Sequence, residues 1–110
     1  MTDAIETDLQ GIVSNVEQMD WRHSVYLESV DQINAKTKAL VLDPDEADWA
    51  EDNFTPIEVF ERGFKVFISI HDLQMVVSNL KHQKENPTLD EKIAAAIHYF
   101  ERDAYLVLDI

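Results

Sequence analysis

Asp43, Asp45 and Asp48 are carboxylates at near-alternating positions, the kind of spacing that lets loop oxygens converge on a hard cation such as calcium. Counted from Asp43 as the first position, however, the fifth is Ala47, the sixth is Asp48 where the turn needs glycine, and the twelfth is Phe54 where a bidentate glutamate is needed. The histidines His23, His71, His82 and His98 include no pair at the four-residue helical spacing of a zinc protease. His98 and Glu101 sit three apart, one half of a carboxylate-histidine metal motif whose other half is missing. Gly11 and Gly63 are the only glycines, so no glycine-rich loop can bring amides against a phosphate. Ser24 and Ser69 would need a base beside them to act as nucleophiles, and Ser69 is better placed as a helix cap. The expectation is a chain that is not an enzyme and carries no metal or cofactor.

What the chain does carry is negative charge. It has 22 acidic against 9 basic side chains, a net of -13. Such a field repels nucleic-acid phosphates and anionic lipid, and it attracts cationic protein surfaces. The first 62 residues hold 15 acids and 4 bases, for a net of -11, leaving -2 for the remainder. From Asp43 to Glu61 there are eight acids and no lysine or arginine. Trp49 lies within that run, and a large aromatic among carboxylates has the composition of an interface anchor in a charged rim. Asp43, Asp45, Glu46, Asp48, Trp49, Glu51 and Asp52 are therefore the expected partner-binding residues. Phe54, in the same run, is expected to pack on the core.

These residues must be positioned by one domain spanning 1–110, since no linker or repeat divides the chain and 110 residues is a common domain size. The absence of cysteine fits a reducing compartment. No basic leader or long apolar run is visible, so cytoplasmic residence is expected and the Asn53-Phe54-Thr55 acceptor has no route to glycosylation. Helical spacing of Ile5, Leu9, Ile12, Val13 and Val16 predicts a first helix from Thr2 to Met19, with Asp3 and Glu6 as a capping box. Strands are expected over Trp21–Glu28 and over Lys38–Leu42, the latter buried on both faces. Thr55, Pro56 and Glu58 begin a short helix that Gly63 ends. A strand follows from Phe64 to Ile68. Ser69 and Asp72 start one helix, Thr88 and Glu91 another, and Ala104–Ile110 makes a closing strand. The predicted order is αββαβααβ, an α+β fold with a mainly antiparallel sheet of about four strands covered by helices.

The runs Val41-Leu42-Asp43-Pro44-Asp45, then Asp72, Asn79 and Gln83, then Tyr99, Asp103 and Ala104 resemble a family of small acidic bacterial proteins of uncharacterised function. Some of that family are similar to immunity proteins of toxin-immunity modules, such as contact-dependent inhibition and polymorphic toxin systems. The resemblance implies an immunity protein that covers the active-site cleft of a basic toxin, expected to be a nuclease. It supplies no functional residue. Two other readings remain open from sequence: a nucleic-acid mimic of the anti-restriction type that occupies a DNA-binding protein, and a small metal-dependent or enzymatic domain.

Overall fold

In the computed structural model, which describes residues 5–46, 48–51 and 55–108, the centre of the sheet is the most apolar strand. Lys38–Leu42 (β3) has Ala39, Leu40, Val41 and Leu42 all buried. It is paired on both sides, antiparallel to Ile5–Asp8 (β1) and to Ser24–Leu27 (β2). Lys65–Ser69 (β4) adds antiparallel to β2, giving the order β1-β3-β2-β4. The fold is α+β with an antiparallel four-stranded sheet.

Alternation along the strands creates two cores. Val25, Leu27, Ala39 and Val41 point to one face, which is covered by three helices: Leu9–Asn15 (α1), Ile70–Gln83 (α3) and Leu89–Arg102 (α4). α1 brings Ile12 and Val13, α3 brings Leu73, Val76, Val77 and Leu80, and α4 brings Ile93, Ala95 and Ala96. Tyr26, Leu40 and Leu42 point to the other face, against Val59 and Phe64. Val59 belongs to Ile57–Arg62 (α2), the one helix on that side among the described residues. Register slips between Val25 and Tyr26, so Phe67 is the extra residue of β4 and both Phe67 and Ile68 reach the helical core.

The caps of the long helices follow the sequence. Ser69 accepts from the Asp72 N–H at 3.1 Å, and Thr88 with Glu91 forms a reciprocal capping box. Gly63 sits at φ 72°, and its N–H bonds back to α2. Pro56, by contrast, stands at the cap position of α2 and not at its first helical position, and its side chain makes no cap bond.

Two elements differ from expectation. The predicted first helix is a strand from Ile5 to Asp8 and becomes helical only at Leu9. Asp8, not Asp3, is its cap, accepting from the Gly11 N–H at 2.9 Å. The next free amides are satisfied by the chain before β3: Leu9 N–H donates to the Thr37 carbonyl at 3.0 Å and Gln10 N–H to the Ala35 carbonyl at 2.9 Å. Glu6 is freed from capping and pairs with Arg62 at 2.9 Å. A Cβ on Gly11 would lie 2.8 Å from Thr7 Oγ1, so glycine permits this abrupt strand-to-helix step. Asp3 lies outside the described residues.

The predicted closing strand is the second difference. Ala104–Leu108 joins no sheet, and the side chain of Gln83 holds it instead. Gln83 Nε2 donates to the Leu106 carbonyl at 2.9 Å, and Leu108 N–H donates to Gln83 Oε1 at 2.8 Å. One amide side chain thus occupies the two backbone groups that a neighbouring strand would have used. Asp109 and Ile110 lie outside the described residues, over which the order is βαββαβαα.

Candidate partner interface

The acidic loop leaves the sheet at Asp43, and that residue folds the loop. Its side chain is buried, its Oδ1 accepts from the Asp45 N–H at 3.0 Å, and its carbonyl accepts from the Glu46 N–H at 3.2 Å. An aspartate bonding its own backbone two residues on is a turn former. Asp43 is therefore scaffold, in contrast to its expected place among the contact residues. Downstream the chain doubles back: Trp49 bridges Pro56, Ala50 N–H donates to the Thr55 carbonyl at 2.8 Å, and Ile57 N–H donates to the Asp48 carbonyl at 2.8 Å. These bonds fasten the loop to the start of α2. Of the eight acids between Asp43 and Glu61, six are exposed, namely Asp45, Glu46, Asp48, Glu51, Glu58 and Glu61. Asp52 and Phe54 lie outside the described residues.

Trp49 is 45% exposed, and Trp21 is 61% exposed. Both tryptophans of the chain thus face solvent, although a buried tryptophan would have strengthened either core. Trp21 lies outside the strand that its sequence predicts over Trp21–Glu28. Instead Asp20 makes a turn there: His23 N–H donates to the Asp20 carbonyl at 3.1 Å and Arg22 N–H to its Oδ1 at 3.0 Å, so β2 starts only at Ser24. The Trp21 ring borders a groove of about 380 Å³ shared with Arg22, Asp45, Ser69 and His71, and lies edge-on to His71 at 6.4 Å. Asp45 thus brings the start of the acidic loop beside Trp21, and Trp49 lies further along the same loop. Trp21, His23 and Val25 alternate as a strand would, but the Asp20 turn keeps Trp21 and His23 out of β2.

Arg22, which lines the groove, and Arg62, which ends α2, are both engaged. Arg22 bonds Asp20 at 2.8 Å, with Asp43 and Glu46 adding to the negative field around it, and Arg62 bonds Glu6. Arg62 also lies over the Phe64 ring at 5.0 Å. The positive charge of these two arginines is thereby held in pairs.

The Arg22 side chain, and then its backbone N–H, hold the Asp20 carboxyl at about 2, below its usual 3.8. A depressed carboxylate stabilises the fold above its unfolded value and loses that contribution as pH falls through the folded value. Asp20→Asn is expected to lower the melting temperature at pH 7, with the difference from the parent protein shrinking as pH drops from about 4 towards 2. Because the pair is on the surface the effect is small. Thermal unfolding at both ends of that range checks it, and a difference that stays constant contradicts it.

No group of three or more potential ligands that could hold a metal is present among the described residues, so Asp43, Asp45 and Asp48 do not converge as a calcium loop would require. No helix among them is long and apolar enough to cross a membrane.

No curated protein and no solved structure matches the chain significantly. Residues 6–108 match the model of a family described as a domain of unknown function, DUF7716. That match runs from β1 through the segment held by Gln83 and so takes in the whole described fold; the chain belongs to the DUF7716 family.

Proposed function

We propose that this protein binds a cationic protein through the acidic loop and the outer side of α2, with Trp21 and Trp49 as anchors. By the resemblance noted in its sequence, the partner is a basic toxin, of nuclease type, whose cleft the loop covers in the cytoplasm. The observation that carries this reading is the exposure of both tryptophans beside the exposed carboxylates Asp45, Glu46, Asp48 and Glu51. Apolar anchors supply affinity once desolvated, and a rim of one sign supplies speed and selectivity.

The product of the neighbouring gene is the first partner to test. Changing Asp45→Asn, Asp48→Asn and Glu51→Gln together is expected to slow association about tenfold at low salt and to leave dissociation little changed, since rim charges act mainly on encounter. Stopped-flow mixing measures both rates. Tight binding whose rates are indifferent to these substitutions would sink the proposal. A nucleic-acid mimic would instead displace DNA from several unrelated basic proteins, which a competition panel would reveal.

A further inference from the structure

On the side of α2 away from β1, the sheet ends in an edge with an apolar trough beside it. β4 is the last strand in the order, and among the described residues no strand lies on its outer side. At 100° per residue, Phe60 and Arg62 leave α2 on opposite flanks of the buried Val59. Arg62 reaches towards β1 to bond Glu6, and Phe60 leans towards β4. There Phe60, Phe64, Tyr26, Val66, Thr55 and Lys65 line a groove of about 560 Å³. Val66 is 64% exposed and Phe60 46%, while Phe64 and Tyr26 form a nearly closed floor.

An open row of backbone amides and carbonyls is complemented by another strand, and a strand sends every second side chain to the same face. A second copy of this chain is a poor occupant. It would bring together two molecules of net -13. Glu61, exposed on the solvent side of the helix above, and the chain's net charge of -13 favour the opposite charge. We infer that β4 accepts an extended segment of a cationic protein as a fifth strand, its alternate apolar side chains entering the groove at Val66 and Phe60 and its basic side chains turned out towards the solvent side of α2, where Glu61 stands. This rests on the cationic-partner reading above and gives it a second, separable contact.

The test uses the full chain and two short peptides of equal charge, one alternating lysine with valine and the other lysine with serine. The valine peptide is expected to bind at least about tenfold more tightly, and to slow hydrogen exchange of the Lys65–Phe67 amides. Val66→Lys, a change at an exposed position that the fold tolerates, is expected to abolish that preference while unfolding at the parent temperature. Equal binding of the two peptides, with protection confined to 45–51, overturns strand addition at β4 and leaves the acidic-loop reading standing. Preference for valine with no protection at Lys65–Phe67 also overturns it. Conversely, a valine preference and β4 protection that persist when Asp45, Asp48 and Glu51 are neutralised establish this contact even if the loop fails as the steering surface.

Discussion

Replacing both Trp21 and Trp49 by alanine is expected to weaken binding of the cationic partner by about 100-fold or more while leaving the melting temperature within a few degrees of the parent. A tryptophan at the centre of an interface contributes about 2 kcal/mol or more when truncated, and each 1.4 kcal/mol is about tenfold in affinity. Truncation losses at one interface are not additive, so about 100-fold is set below the full sum of two. Stability should change little because both residues are exposed, at 61% and 45%, and exposed substitutions shift stability by about 0.5 kcal/mol or less. The bridge from Trp49 to Pro56 runs through the backbone and survives the change. Calorimetric titration beside thermal unfolding separates the two effects. An affinity loss under about threefold would remove the tryptophans from the interface, and a large drop in melting temperature would make them structural.

Leu40→Ala is expected to have the opposite signature: a stability loss of about 2–5 kcal/mol, the range for deleting a buried leucine side chain. Leu40 is 0% exposed in the central strand, paired with Glu6 on one side and Tyr26 on the other, and packs with Val59. The residues of its small core are few, so neighbours cannot close a cavity without α2 shifting. Set against a typical total of about 5–15 kcal/mol, the loss is severe. Because α2 carries Glu58 and Glu61 and is fastened to the acidic loop at Ile57, partner binding should weaken as well. Urea unfolding must be followed by circular dichroism, since two exposed tryptophans report little of burial. A loss below about 1 kcal/mol would mean that the α2 face is not a packed core.

Where one local signal decided the structure, the sequence was readable. The Thr88–Glu91 box, the Ser69 cap, the Gly63 stop and the continuous apolar run of β3 all required only neighbours along the chain. β1 was not readable, because Ile5, Leu9 and Ile12 satisfy a helical period and only pairing with β3 makes Ile5–Asp8 extended. The end of the chain failed for the mirror-image reason: Ala104–Leu108 has the composition of a strand, but Gln83, more than twenty residues earlier, takes its backbone bonds.

Several residues that carry the family resemblance prove to be internal fittings. Gln83 holds the C-terminal segment while donating to Asn79 at 2.8 Å, Tyr99 stacks on Tyr105 at 5.8 Å, Asp103 adopts the left-handed conformation at φ 54°, and Asp43 makes the turn of the acidic loop. Such residues mark the fold. The candidate interface was legible as a charged run with Trp49, but the contribution of Trp21 depended on the Asp20 turn and on Asp45 arriving beside it, which chain order alone does not convey.

The most direct measurement is the association rate with the neighbouring gene's product across ionic strength, for the parent chain and for the Asp45→Asn, Asp48→Asn, Glu51→Gln variant. A steered complex loses association rate steeply between about 10 mM and about 500 mM salt as the screening length contracts. The parent is predicted to fall by about tenfold or more over that range, the variant to start lower and fall less, and the two to converge at high salt. Parallel salt dependences for the two chains, or an association rate indifferent to salt, would contradict recognition of a cationic partner by this loop.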